Sequence, residues 1–169
     1  DGYSWKDIRK MEMESFEAAV SIIGSEPEKW RPTSRETADH SMGYMTVAAL
    51  IDGEVTRETF SPKKFTNKKY LDLLDNTTIV EANDLNKGYP DGIPNRLKVR
   101  MADGKVYEKT VKYPRGHAGN PMSDDEVETK FRTLAEGVIP TKLQNQLLSQ
   151  LWSLDKARDV RKLWNFKVS

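Results

Sequence analysis

His40 and Tyr44 are the residues whose types and spacing most readily do chemistry. On one helix, four positions apart, their side chains share a face, so an imidazole and a phenol can project into one cavity. An imidazole titrates near neutrality, and a phenol can donate a hydrogen bond or a proton to a developing oxyanion. That makes the pair a candidate acid–base couple. The same spacing also suits two interior residues whose polar tips find backbone partners.

The loop from Pro114 to Pro121 is the second candidate. Gly116 and Gly119 permit unusual backbone angles, so successive amides could cradle a carboxylate beside Arg115 and His117. The plainer reading is a connection from strand to helix shaped by Gly and Pro. Trp30, Trp152 and Trp164 read as core or interface residues, and Lys98, Arg100 and Lys112 as a solvated strand face.

Composition removes most other chemistry. The chain has no Cys, which excludes disulfides, thiol catalysis and Cys-ligated metals. His40 and His117 are far apart, and neither has a ligand at a recognised spacing. Asp39 adjoins His40, but neighbours on a helix point about 100° apart and clamp a metal poorly. No EF-hand pattern follows Asp124-Asp125, and no phosphate-binding loop, dinucleotide fingerprint or nucleophile elbow occurs. Neither a metal nor a cofactor is expected. With 27 Lys+Arg against 26 Asp+Glu, the 169 residues carry no basic field for nucleic acid. No apolar run approaches the ~18–20 residues that span a bilayer. The chain starts at Asp1 without a signal-peptide pattern, as a piece of a longer protein would.

The elements that must position these residues are α+β: a small antiparallel sheet packed with helices, followed by C-terminal helices. Met11 to Glu14 alternate as a half-buried strand, and Phe16 to Ile23 reads as a short helix stopped by Gly24. Ser25 to Pro32 reads as a loop. Thr33 and Glu36 have capping-box spacing, and the helix they open runs to Asp52, with Gly53 as its left-handed cap. His40, Tyr44, Val47, Ala48 and Ile51 share its face. Short helical turns between Ser61 and Leu74, of which Lys68 to Leu74 is the better formed, and a strand from Thr77 to Glu81 come next. A loop from Asn83 to Asn95 precedes the alternation of Leu97, Val99 and Met101. Asp103-Gly104 reads as a two-residue hairpin turn, with Tyr107, Val111 and Tyr113 on the return strand. A second capping box, Ser123 and Glu126, opens a helix with Val127, Phe131, Leu134 and Ala135 on its buried face, ended by Gly137. Leu143, Leu147, Leu148 and Leu151 mark another helix, and Ala157, Val160, Leu163 and Trp164 a last one. From about Val138 the pattern is all helical, unlike the middle of the chain.

Two blocks carry a resemblance. The first is Trp30-Arg-Pro-Thr-Ser-Arg-Glu-Thr-Ala-Asp-His-Ser-Met-Gly-Tyr-Met45, running on through Ala48 to Asp52-Gly53. The second is Tyr113-Pro-Arg-Gly-His-Ala-Gly-Asn-Pro-Met-Ser-Asp-Asp-Glu126, followed by Lys130-Phe131. In order and separation, they resemble the 2-methylcitrate dehydratase (MmgE/PrpD) family along essentially the whole chain. The resemblance implies a lid-like α+β domain over residues 1–138. The helices of 139–169 would return to an N-terminal helical domain of the same polypeptide. It implies an active site in the cleft between the two domains.

What the family does sets the remaining expectations. Its activities include dehydration of 2-methylcitrate to 2-methylaconitate, decarboxylation of cis-aconitate and epimerisation of iminodisuccinate. The leading expectation is the first: a metal-independent hydro-lyase of propionate catabolism acting on a small tricarboxylate. The family activities other than dehydration remain alternatives, as does a non-enzymatic binding or dimerisation module. By family likeness Tyr44 matches a tyrosine lining the active site, and His40 shares its motif. Further catalytic His, Lys and Asp groups would lie before Asp1, so this piece alone is expected to be inactive. A homodimer is implied for the whole protein, in the cytoplasm or in a mitochondrial matrix.

Overall fold

A computed structural model describes residues 4–161. The chain packs as two compact units that divide between Pro114 and Arg115. The boundary expected near Val138 lies within the second of these. The fold class is α+β.

In the first unit, β1 (Ile8–Ser15) is central. Its neighbours are β2 (Thr77–Glu81), β3 (Asn95–Met101) and, beyond β3, β4 (Val106–Val111), in the order β2-β1-β3-β4. The pairing corrects the expectation of an antiparallel sheet. β1 runs parallel to β2, with Met11 opposite Thr77 and Met13 opposite Ile79, whereas β1–β3 and β3–β4 are antiparallel. Parallel neighbours need a crossover, and the helices of residues 17–75 supply it. The hairpin is also corrected. The amide of Met101 donates to the carbonyl of Lys105, and that of Gly104 donates to Met101. This leaves a three-residue loop, with Gly104 in the left-handed region at φ 86°.

Within the crossover lie α1 (Glu17–Ile23), α2 (Pro27–Trp30), α3 (Arg35–Asp39), α4 (Met42–Asp52), α5 (Pro62–Phe65) and α6 (Lys68–Asp75). α2 occupies the stretch read as a loop, and a further short helix, α7 (Asn83–Asn86), occupies the next one. The helix expected from Thr33 to Asp52 is two helices. Ser34, not Thr33, caps the first, in reciprocal bonds with Thr37 rather than Glu36. Ser41 then caps α4. Gly53 ends α4 as expected, at φ 82°.

Met11, Tyr44, Val47, Ala48, Phe65, Tyr70, Leu73 and Leu74 are buried together against one face of the sheet, with Trp30 packed on them. α4 comes so close to α6 that a Cβ on Gly43 would stand 2.7 Å from Leu74 Cδ1.

The second unit holds α8 (Asp124–Ala135) and α9 (Thr141–Trp152). Ser123 and Glu126 form the expected capping box, and Gly137 follows at φ 72°. The apolar stripe read for α8 is mostly open: Ala135 is buried, but Val127 and Leu134 are exposed. Leu147 and Leu148 of α9 are buried, whereas Leu151 and Trp152 are exposed. The last expected helix lies partly outside the described residues, since Leu163 and Trp164 fall there. Among the described residues, no helix is long and apolar enough to cross a membrane.

Candidate functional site

The break between α3 and α4 builds the more reactive of the two expected clusters. Ser41 makes the break. Its Oγ accepts the Tyr44 amide at 3.0 Å and donates to the Lys29 carbonyl at 2.5 Å, so the start of α4 is pinned to α2. His40, just before it, leaves helical geometry at φ −104° and ψ 17°. That turn brings together two side chains that a continuous helix would point apart. His40 Nδ1 lies 2.6 Å from Asp39 Oδ1 and 3.0 Å from the Glu36 carbonyl oxygen. Both neighbours accept, so Nδ1 carries the proton and Nε2 is directed elsewhere. The Glu36 carbonyl first, and then Asp39, raise the imidazole above its ordinary value. The ring is exposed. This is the arrangement of a histidine oriented by a carboxylate, able to take or give a proton at Nε2.

Tyr44 is placed differently from the expectation that it shares a cavity with His40. It is fully buried, and its hydroxyl donates to the Thr59 carbonyl at 2.6 Å. Its ring packs on Tyr70, with centroids 6.1 Å apart. Burial, with Tyr70 and Asp52 nearby, pushes the phenol far above its ordinary range. The shared face was read on one continuous helix, and the break at Ser41 removes that premise. Behind Tyr44, Asp52 accepts from Lys64 Nζ at 2.7 Å and from the Tyr70 hydroxyl at 2.9 Å, closing the end of α4 against α5 and α6.

In the second unit, the loop with Arg115 and His117 is folded on itself. The Gly116 amide donates to the Asn120 carbonyl at 2.9 Å, and the Asn120 amide to the His117 carbonyl at 2.8 Å. The Gly119 amide donates to His117 Nδ1 at 3.0 Å. These amides are therefore not aimed together at a ligand, and the cradle expected of them is closed by the loop itself. Gly116, at φ 96°, is what lets the chain turn so tightly. Arg115 grips Glu126 in a bidentate pair and reaches Asn120 Oδ1 at 3.0 Å. Among the described residues, three of its five N–H groups are so engaged, leaving two.

In the sequence, Asp39 is weighed only as a metal ligand and Glu126 only as a cap, and their pairing with His40 and Arg115 is not foreseen. The available signals were Ser41, a cap residue inside an apparently helical run, and the capping-box Glu126 so close to Arg115. No group of three or more His, Asp or Glu able to hold a metal occurs among the described residues.

Residues 2–155 match the MmgE/PrpD C-terminal domain. The chain belongs to the MmgE/PrpD family. It is similar to a cis-aconitate decarboxylase-like protein of Aspergillus oryzae, 29% identical over 93% of this chain and 32% of that protein. A probable 2-methylcitrate dehydratase of Saccharomyces cerevisiae is 30% identical over 69% of this chain and 23% of its own length. An alkylcitrate dehydratase of Talaromyces stipitatus is 26% identical over 77% of this chain and 28% of its own. This MmgE/PrpD chain thus spans about a third or less of the length of the curated relatives it matches.

Proposed function

We propose that this chain is the C-terminal part of a lyase acting on a small polycarboxylate, with dehydration of 2-methylcitrate to 2-methylaconitate as its reaction. The match to the MmgE/PrpD C-terminal domain carries the reading, and the dehydratases among the relatives direct it to loss of water. Such an elimination needs a base for the proton next to a carboxylate, an acid for the leaving hydroxyl and donors for the carboxylate that gathers charge.

In this reading, His40 exchanges a proton at Nε2, with Asp39 holding its ring. Arg115 offers its remaining N–H groups to a substrate carboxylate, beside His117. Tyr44, expected as an acid or oxyanion donor, serves instead to hold α4 through Thr59. The other groups that an elimination needs, an N-terminal helical domain, a homodimeric state and a place in the cytoplasm or mitochondrial matrix complete the proposal.

The test is alkene absorbance with 2-methylcitrate, using the polypeptide that carries this chain, its His40→Gln variant and the 169-residue chain alone. Turnover by the first, lost on substitution and absent from the chain alone, is the expected result. The cis-aconitate decarboxylase relatives favour a second reading, tested by carbon dioxide release from cis-aconitate. Conversion of that substrate alone would replace the dehydratase reading, and conversion of neither would overturn both.

A further inference from the structure

The sheet of the first unit has a second face, opposite the one that Met11 presents to the core, and its charges follow the strand register. Across β1 and β3, the rungs on that face are Glu14–Arg96, Glu12–Lys98 and Lys10–Arg100. The first two join opposite charges. Arg96 and Lys98 both pair with Glu14, and Lys98 also reaches Glu12 at 3.4 Å. The third rung sets two cations opposite each other. Neither Lys10 nor Arg100 makes an ion pair among the described residues. Directly opposed like charges destabilise a strand pair, so this rung has a cost that the other two lack.

An open cavity of about 120 Å³ lies at this rung, lined by Lys10, Glu12, Lys98, Arg100 and Val106. That is about four water molecules' share of liquid volume, enough for a tetrahedral oxyanion or one arm of a larger acid. Val106 is the register partner of Arg100 on β4 and forms an apolar wall. Three cations line the cavity, Lys10, Lys98 and Arg100, against one carboxylate, Glu12, which Lys98 reaches.

We propose that this rung is an anion site, in which Lys10 and Arg100 together take a doubly charged oxyanion group: a phosphate or a pair of carboxylates. Arg100 supplies a planar fork of donors and Lys10 a compact point charge, a combination suited to such a group. Bound between them, the anion turns the one repulsive rung of the ladder into an attractive one. The site stands apart from the chemistry proposed for His40 and is tested by binding rather than by turnover.

The experiment is a titration of the chain with inorganic phosphate, and separately with citrate, followed by ¹H–¹⁵N spectra at ionic strength held constant with sodium chloride. Saturable shifts at the amides of Lys10, Arg100 and Val106 are expected with at least one of the two anions. The one that binds tighter identifies the group as phosphate or carboxylate. Lys10→Gln and Arg100→Gln each weaken binding by about fivefold or more. Lys109→Gln, on the opposite face of β4, leaves it unchanged. Shifts that fail to saturate with both anions, or affinities that survive both cavity substitutions, would overturn the site.

Discussion

At the scale of single residues, His40 shows how one turn of backbone sets reactivity. The Glu36 carbonyl and the Asp39 carboxylate both favour the protonated ring. The folded-state midpoint therefore lies above the ordinary 6.5. Whatever these contacts add to stability is fully present below 6.5 and lost as pH rises through the raised midpoint. A step that uses neutral His40 as a base gains rate over that same interval. Asp39→Asn lowers the midpoint without returning it wholly to 6.5, because the Glu36 carbonyl still accepts. Following the His40 Cε1–H resonance against pH checks this. For Tyr44, Phe removes the hydroxyl and leaves the buried Thr59 carbonyl without its donor. The expected loss is about 1–3 kcal/mol in urea unfolding. Turnover of the carrying polypeptide should stay within a few-fold, and a collapse of turnover in a stably folded variant would return Tyr44 to the chemistry.

At the scale of elements, the α3–α4 break depends on Ser41, whose hydroxyl both caps α4 and ties it to Lys29. Ser41→Ala should cost about 1–2 kcal/mol by thermal or urea unfolding. It should also loosen the Asp39–His40 pair, so the His40 midpoint moves down toward 6.5 in the same sample. An unchanged midpoint would mean that the backbone holds the break without its cap. This break is also where the sequence was least legible. Arg35 to Asp52 has helical periodicity throughout; the polar pair His40-Ser41 is the local sign of the break, and the bond from Ser41 to a carbonyl twelve residues earlier is not written there.

For the molecule as a whole, the carboxylates set the response to acid. Hydrogen bonding to Lys98, then to Arg96, holds Glu14 below its ordinary value against the opposing effect of burial. Burial pushes Asp52 up, but hydrogen bonds from Lys64 and Tyr70 outweigh it and leave the group low. Arg96 does the same for Asp84. In the second unit, Arg115 and the Ser123 amide take Glu126 down to about 2. Groups depressed on folding stabilise above their unfolded values and lose that contribution as pH falls through the folded ones. Stability is therefore expected to decline below about pH 4.5 and to keep falling toward about pH 2. Denaturant midpoints measured across that range check the slope, and Glu14→Gln should flatten it.

What the sequence determined by itself was local. β1, β2, α1, α6, the two strands of the hairpin though not its loop length, the Gly53 cap and the Ser123–Glu126 box are written in periodicity and in cap or turn residues that act within a few positions. The family was legible too, from the motif between Trp30 and Met45 and from the block around Arg115. Tertiary structure decided the rest. That β2 lies parallel to β1 depends on how a long helical crossover packs, and alternation within a strand says nothing of its neighbour's direction. That Tyr44 is buried while His40 is exposed depends on a capped break that one distant carbonyl holds in place. Like-charged Lys10 and Arg100 face each other because strand register, which no stretch of sequence carries alone, pairs β1 with β3.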